Sequence, residues 1–310
     1  MTLKIENVSK FFGNRSAVDN LNMTIGPGQV MGLIGQNGAG KTTTFRLILK
    51  FVDLDTGSIT WNGHPIGLAE KQRIGFLPEE RGLYQKMTVE NQILYFAELH
   101  GMKRSDARIQ LQEWFKRLEV VGKISDKIQS LSKGNAQKVQ FIATLIHNPD
   151  FLILDEPFTG LDPVNTSLLR NEIKNFRDKG AVVIFSNHNM SDVEMLSDNL
   201  TMLKNGKTVL QGKTKDIRES YGRTRINLVS EISDNELQSI NGVLLIEHNN
   251  LGRTIFVSNE EVGHEIFHKV TTNGYVQGFM QTPPTLDEIF RKEVANDEVR
   301  IEENGGIIHE

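Results

Sequence analysis

Residues 35–42, GQNGAGKT, have the composition and spacing of a loop that binds phosphate. They match G-x-x-x-x-G-K-[ST] and lie between an apolar run that predicts a strand and a segment with helical spacing. Glycines let backbone N–H groups close around phosphate oxygens, and the helix dipole adds to the attraction. We expect Lys41 to reach the terminal phosphates of a nucleotide and Thr42 to ligate Mg²⁺.

Two adjacent carboxylates follow another apolar run, FLIL at 151–154. Asp155 at the end of such a strand can hold Mg²⁺, often through water. Glu156 beside it can polarise an attacking water as a general base. Taken alone, an Asp-Glu pair after a strand is more often a helix cap or a surface feature. Because the chain also has a phosphate-binding loop, we favour the metal-and-base interpretation.

A second candidate anion site lies at 131–138, LSKGNAQK. Its serine, glycine and asparagine precede the apolar-periodic segment VQFIATLI, which predicts a loop that enters a helix N-terminus. The loop at 35–42 is already a better phosphate site. The sequence therefore raises the question of why one chain would carry two.

The elements that must position these residues alternate between short strands and helices. Near-continuous apolar runs predict buried strands of a parallel sheet, and helical spacing occurs over 42–52 and 166–180. A mostly helical block covers about 85–146, and Asn205-Gly206 predicts the turn of a hairpin over 200–212. The predicted strands are VMGLIG (30–35), RIGFLP (73–78), FLILDE (151–156) and AVVIFS (181–186).

The pattern changes after about residue 220, where strands and helices follow the order β-α-β-β-α-β. That order resembles a small ferredoxin-like domain. We therefore expect an α/β domain over 1–220 and a small α+β domain over 221–296. The acidic, glycine-containing end, 297–310, is expected to be a frayed tail.

Composition excludes several classes of function. The 310 residues carry a formal net charge of -4, which is not basic enough to indicate a nucleic-acid partner. The chain has no cysteine, which excludes disulfides and thiolate chemistry and fits a reducing cytoplasm. We expect no secretory signal, and no apolar run approaches the ~20 residues that span a bilayer. We therefore predict a cytoplasmic chain that does not cross the membrane itself.

The phosphate-binding loop, LSKGNAQK, LILDEP, GLD (160–162) and SNH (186–188) occur in the order and at the spacing of ATP-binding cassette (ABC) proteins. The chain resembles the nucleotide-binding subunit of an ABC transporter over about residues 2–220. The resemblance is to bacterial exporters with a C-terminal extension, including sodium- and drug-efflux types. It implies a P-loop NTPase fold, ATP and Mg²⁺ as ligands, and a separate membrane permease at the inner face of the membrane.

The resemblance also answers the question of the second site, because two cassettes of this family pack head to tail. Ser132 and the Gly134 backbone would then face the ATP of the partner cassette, and Asp162 would link the two sites. It further implies that His188 contacts the γ-phosphate and that Phe12, with Phe11 as its neighbouring alternative, stacks on adenine. We expect one of these two phenylalanines to be a core residue. The loop residues implied to bind nucleotide are Gly35, Gln36, Asn37, Gly38, Ala39, Gly40, Lys41, Thr42 and Thr43.

The chain departs from the family pattern at two places. Its signature reads LSKGN where LSGGQ is usual, so Lys133 replaces a glycine and Asn135 a glutamine. A lysine loses backbone freedom if that position needs a positive φ, although it adds a cation beside a phosphate. Glu79 stands where a glutamine usually contacts Mg²⁺, and a carboxylate ligates Mg²⁺ at least as well.

The small domain contains a competing motif, because residues 264–268 read HEIFH and match the zinc-protease H-E-x-x-H. His264 and His268 lie one helical turn apart beside Glu265, and Glu288 has the spacing of a third ligand. A predicted strand and Pro283-Pro284 intervene, however. We expect a surface helix with exposed histidines and no structural zinc, whose apolar face is formed by Ile266, Phe267 and Val270.

Besides the transporter subunit and the zinc protease, a third possible class of protein is a soluble ABC ATPase that acts in translation, DNA maintenance or cofactor assembly. The chain has one cassette and no long coiled-coil insertion. We therefore favour the transporter subunit.

Overall fold

The computed structural model describes residues 1–80, 82–250, 252–272 and 275–304. The chain forms two compact units, Met1–Gly212 and Lys213–Glu310. The boundary predicted after residue 220 is therefore displaced, because the short helix Thr214–Ser220 belongs to the second unit. Among the described residues, no helix is both long and apolar enough to cross a membrane.

The first unit alternates strands and helices along most of its length. Its elements are β1 (Leu3–Phe12), β2 (Arg15–Ile25), β3 (Val30–Ile34), α1 (Lys41–Ile48), β4 (Thr56–Trp61), β5 (His64–Pro65), α2 (Leu68–Lys71), β6 (Ile74–Leu77), α3 (Val89–Leu99), α4 (Arg104–Arg117), α5 (Lys133–Leu145), β7 (Phe151–Asp155), α6 (Pro163–Asp178), β8 (Val182–Ser186), α7 (Met190–Leu196), β9 (Asn199–Lys204) and β10 (Lys207–Lys213).

A six-stranded sheet in the order β10-β9-β3-β8-β7-β6 forms the centre of this unit. Its strands from β9 to β6 are parallel neighbours. All residues of β3, β7 and β8 are buried, as their apolar runs predict. The turn between β9 and β10 has Asn205 at φ 51° and Gly206 at φ 81°, which confirms the predicted hairpin.

A second, antiparallel sheet in the order β2-β1-β4-β5 packs its apolar residues into the same core as the parallel sheet. It was not expected from the sequence. Ile5, Leu21 and Trp61 of this sheet are almost fully buried. The tip of the β1–β2 hairpin carries Phe12 and Arg15 opposite each other.

Helix α1 is shorter than its predicted span of 42–52. Lys50 adopts a left-handed conformation with φ 52°, and the Phe51 N–H bonds back to the Arg46 carbonyl. This turn, with its left-handed residue, ends the helix. The helical block contains α3, α4, a 3₁₀ turn at Ile128–Ser130 and α5.

The second unit contains α8 (Thr214–Ser220), β11 (Arg225–Ser230), α9 (Asp234–Gln238), β12 (Val243–Asn249), β13 (Gly252–Val257), α10 (Glu260–Thr272), β14 (Val276–Thr282) and α11 (Leu286–Asn304). Its antiparallel sheet has the order β12-β13-β11-β14. Ile226, Ile255, Leu237 and Ile266 belong to one buried cluster between the sheet and its helices. The element order and strand order confirm the ferredoxin-like prediction.

The predicted tail differs from the structure, because α11 continues through Asn304. The segment 297–304 is therefore helical rather than frayed. The remaining part of that prediction, 305–310, lies outside the described residues.

Candidate functional site

The loop 35–42 needs glycine at two positions for steric reasons. Gly40, just before α1, has φ 111°, and a Cβ there would lie 2.4 Å from the Ala17 carbonyl oxygen. Gly35 has φ 153°, and its Cβ would lie 2.3 Å from the Leu203 carbonyl oxygen. Any side chain at these positions would therefore displace the backbone of a neighbouring element.

Lys41 begins α1 and is held inside the loop. Its Nζ donates to the Gly35 carbonyl at 2.7 Å and to the Gln36 carbonyl at 3.2 Å. Burial lowers the pKa of the Lys41 ammonium, although the carboxylates of Glu156, Asp155 and Glu79 oppose that shift. The Lys41 ammonium thus lies near three carboxylates that line the same cavity.

Asp155 lies at the end of β7 and joins three elements. Its Oδ2 accepts a hydrogen bond from Thr42 Oγ1 at 3.0 Å, and its Oδ1 accepts one from Ser186 Oγ at 2.6 Å. Neighbouring ligands of an octahedral Mg²⁺ ion lie about 3 Å apart, so the Thr42 and Asp155 oxygens fit that ion as they stand. Ser186, which also accepts from the Glu156 N–H at 3.1 Å, was not among the predicted site residues.

Glu156 follows Asp155 in a left-handed conformation with φ 52° and has a buried side chain. Its Oε2 accepts from the His188 backbone N–H, and its Oε1 lies 3.3 Å from His188 Nε2. That second contact is within ion-pair range, but within the described residues Oε1 has no hydrogen bond. Oε1 is thus a buried carboxylate oxygen that lacks a hydrogen-bond donor among the described residues.

Burial raises the pKa of Glu156 to about 7, and the nearby Asp155 and Glu79 act in the same direction. The His188 N–H and the Lys41 ammonium oppose this rise. Burial and the Lys41 charge lower the pKa of His188. A carboxylate with such a pKa is suited to accept a proton near neutral pH.

These groups line one open cavity of about 460 Å³. The predicted residues that line it are Phe12, Asn37, Gly38, Gly40, Lys41, Thr42, Thr43, Glu79, Asp155, Glu156 and His188. Gly35, Gln36 and Ala39 shape the loop from behind, where Ala39 is buried and the Gln36 carbonyl accepts from the Ala39 N–H.

The β1–β2 hairpin adds two residues that sequence reasoning missed. Arg15 and Ala17 also line the cavity, and Arg15 Nη2 donates to the Gly38 carbonyl at 3.3 Å. Phe12 and Phe11 are 53% and 45% exposed, so the expectation that one of them is a core residue is wrong. Only the Phe12 ring of this pair lines the cavity.

Ser132, Gly134 and Asp162 do not line this cavity. Ser132 caps α5, where its Oγ accepts from the Asn135 backbone N–H at 3.3 Å. Asp162 caps α6 and accepts from the Asn165 N–H at 2.9 Å, and this bond lowers the pKa of Asp162. Both side chains are exposed, so the second candidate anion site is separate from the cavity and open to solvent.

Lys133 does not need a positive φ, because it is the first residue of α5 and is absent from the left-handed residues. The backbone cost considered for this substitution therefore does not arise. Asn135 Oδ1 accepts from the Val121 N–H at 3.0 Å and ties the start of α5 to the preceding loop.

The H-E-x-x-H motif lies on the surface of α10. His264 and His268 are exposed, whereas Glu288 caps α11 by accepting from the Thr285 N–H and pairs with Arg225 at 3.1 Å. Ile266 and Val270 are buried as predicted, but Phe267 is 45% exposed. Among the described residues, no group of three potential ligands that could hold a metal is found.

The fold and the cavity together define a P-loop nucleotide-binding protein with a helical block inserted between β6 and β7. The model of the ABC transporter family matches residues 18–159. The model of the C-terminal domain of ATP-binding proteins like DrrA1-3 matches residues 212–294, which contain the H-E-x-x-H motif.

Three similar proteins support this assignment. The uncharacterized ABC transporter ATP-binding protein YhaQ of Bacillus subtilis (strain 168) is 42% identical over 94% of this chain and 98% of its own. The Nod factor export ATP-binding protein I of Rhizobium etli is 27% identical over 93% and 92%. A solved ATP binding subunit of an ABC transporter has a TM-score of 0.66 at 27% identity over 71% and 93%.

The chain therefore belongs to the ATP-binding proteins of ABC transporters. Its relatives include proteins of exporter type. This membership confirms the resemblance seen in the motifs.

Proposed function

We propose that this transporter subunit hydrolyses ATP with Mg²⁺ and drives a membrane permease as an exporter. The observation that carries the proposal is the meeting of Lys41, the Thr42–Asp155 pair and Glu156 in one cavity. Phosphoryl transfer needs positioned charge and an oriented nucleophile more than covalent chemistry. The cavity contains side chains for both tasks.

Each group has a separate task in this proposal. Mg²⁺ neutralises charge on the terminal phosphates when bound, and Thr42, Asp155 and Glu79 are the side chains that would hold it. Lys41 exchanges its bonds to the Gly35 and Gln36 carbonyls for phosphate oxygens. Glu156 would orient water and accept a proton through its carboxylate, and His188 Nε2 lies 3.3 Å from Oε1 of that carboxylate.

The second anion site is explained by a second copy of the cassette. Ser132 and Gly134 do not line the cavity of their own chain, although their helix start suits a phosphate group. In a head-to-tail dimer each would face the ATP of the partner copy, and the interface would be closed by two-fold symmetry. Asp162, which is exposed at the start of α6, would lie at that interface.

The permease is the other partner in this proposal. A cavity of about 470 Å³ lies between the parallel sheet and the helical block, next to the Glu79 loop. Phe51, Phe76, Tyr84 and Leu99 give it an apolar lining suited to a cytoplasmic helix of the permease. The subunit would then lie at the inner face of the membrane, and its permease would select the exported substrate.

Steady-state ATP hydrolysis by Glu156→Gln tests the chemical assignment. We expect the turnover number to fall about 100-fold or more, since general bases contribute that much, with ATP affinity little changed. Glu113→Gln, on the exposed face of α4, makes the same chemical change outside the cavity and should retain full activity. Unchanged turnover in Glu156→Gln would show that the base is another group.

Recovery of a membrane protein tests the transport assignment. We expect the affinity-tagged chain, expressed in its own host and extracted in mild detergent, to bring down one integral-membrane permease. A Phe51→Asp variant should lose that protein while retaining ATP binding, because a charge in the apolar cavity is costly to bury. Equal recovery with both chains would argue against this docking site.

A further inference from the structure

The loop between β6 and α3 carries Glu79 to the edge of the ATP cavity. The described residues between 78 and 87 form no helix or strand, so contacts from other elements help to fix the position of this loop. Two buried glutamines of the helical block provide such contacts.

Gln140 of α5 holds the first part of this loop. Its side chain is 4% exposed, and its Nε2 donates to the carbonyls of Pro78 at 3.3 Å and Glu80 at 3.5 Å. An amide nitrogen has two donors, so one side chain can satisfy both carbonyls that flank Glu79. The reversed amide would place its oxygen against two carbonyl oxygens, which fixes the orientation of the group.

Gln92 of α3 holds the end of the same loop. Its side chain is fully buried, and its Oε1 accepts from the Tyr84 backbone N–H at 3.0 Å. Nearby, Thr144 Oγ1 lies 3.4 Å from the Phe76 carbonyl, where β6 leads into the loop. Without these side chains, the Pro78 and Glu80 carbonyls and the Tyr84 N–H would lose the hydrogen bonds that tie the loop to the helical block.

We propose that Gln140 and Gln92 are positioning residues that hold the Glu79 loop against the helical block and so present the Glu79 carboxylate to the metal side of the cavity. The inference rests on the proposed role of Glu79 as a magnesium ligand. Gln140 lies on α5, the helix that Ser132 caps, so one helix contacts the Glu79 loop and begins at the second candidate anion site.

Amide hydrogen exchange of the nucleotide-free, full-length protein tests whether the two glutamines fix the position of the Glu79 loop. Gln140→Met and Gln92→Met each remove an amide at similar volume, and we expect amide exchange in segment 79–86 to speed up about tenfold. Gln137→Met is the matched control, because Gln137 is a buried glutamine of the same helix that donates to the Pro157 carbonyl at 3.1 Å instead. Exchange that is unchanged, or equally faster in the control, would overturn the proposal.

The Mg²⁺ concentration needed for ATP hydrolysis tests whether Gln140 acts by positioning Glu79. Gln140→Met should raise the Mg²⁺ concentration for half-maximal ATP hydrolysis about three- to tenfold, with ATP affinity in EDTA unchanged. In a Glu79→Gln background the same substitution should cause no further rise. An equal rise in both backgrounds would show a general structural effect and contradict the proposal.

The two experiments separate failure of this inference from failure of the proposed function. If Glu79→Gln alone leaves the Mg²⁺ requirement unchanged, the metal role of Glu79 is wrong, and with it the functional part of this inference. The amide exchange rates of segment 79–86 then show whether the glutamines fix the position of the loop. If Gln140→Met does not fold, Gln92→Met provides both measurements.

Discussion

At the scale of single residues, Glu156 combines a left-handed backbone with a buried carboxylate. Burial raises its pKa to about 7, so both protonation states are populated near neutral pH before any ligand binds. A residue held in this way costs stability in the free protein. Such a cost is expected at a site whose side chain serves catalysis.

The pKa of Glu156 gives a prediction for stability. The pKa rises from 4.5 to about 7 on folding, so the folded state binds the extra proton between these pH values. The free energy of unfolding should therefore decrease as pH rises through this window. Glu156→Gln should remove on the order of 3 kcal/mol of that decrease, measured by urea unfolding in EDTA at pH 5 and pH 8.

Glu113→Gln is the control for this experiment, because Glu113 is exposed. Its stability should keep the pH dependence of the parent chain. Parallel pH profiles for Glu156→Gln and the parent would show that burial does not shift this carboxylate in the folded protein.

Sequence motifs predicted the residues of the cavity unevenly. Lys41, Thr42, Asp155, Glu156 and His188 lie in motifs with fixed spacing to a strand end, and the structure brings them together. Arg15 belongs to no motif and reaches the cavity only because a hairpin brings it near Gly38. Its position depends on a tertiary contact that no local pattern contains.

At the scale of elements, the β1–β2 hairpin places one aromatic ring at the cavity and leaves its neighbour outside. Phe12→Ala should weaken ATP binding about three- to tenfold, which is the usual contribution of ring stacking. Titration calorimetry measures this change in the Glu156→Gln background, where we expect ATP to bind without being hydrolysed rapidly. Phe11→Ala should bind within twofold of the parent, and a larger loss in Phe11→Ala would assign the adenine contact to the other ring.

The two sheets show why some elements were predictable and others were not. Buried parallel strands appear as continuous apolar runs, so β3, β7 and β8 were found directly. The pairing of β1 shifts register between Ile5 and Val8 and again before Phe11, which breaks the alternation that marks a strand. The Asn62-Gly63 turn, with both residues at positive φ, was the available signal for β4 and β5.

At the scale of the whole molecule, the chain consists of a cassette and a ferredoxin-like unit. The sequence predicted the order of elements in the second unit, because each strand and helix there has its own local pattern. The boundary was placed eight residues late, because α8 shows the same helical pattern whichever unit it joins. Only tertiary packing assigns α8 to the second unit.

The central claim is that two cassettes close on ATP, so that Ser132 of one chain completes the cavity of the other. The most direct test is the molar mass of Glu156→Gln protein by light scattering, with and without Mg-ATP. We predict a monomer without nucleotide and a dimer with it. Adding Ser132→Arg should abolish the dimer without abolishing ATP binding, because a long cation would occupy the phosphate position.

Ser105→Arg makes the same substitution at the start of α4 and should leave the dimer intact. A dimer that persists in Ser132→Arg would contradict the account, since the second anion site would not contact nucleotide in the partner cassette. A chain that binds ATP but stays monomeric at every accessible concentration would also contradict closure by ATP alone.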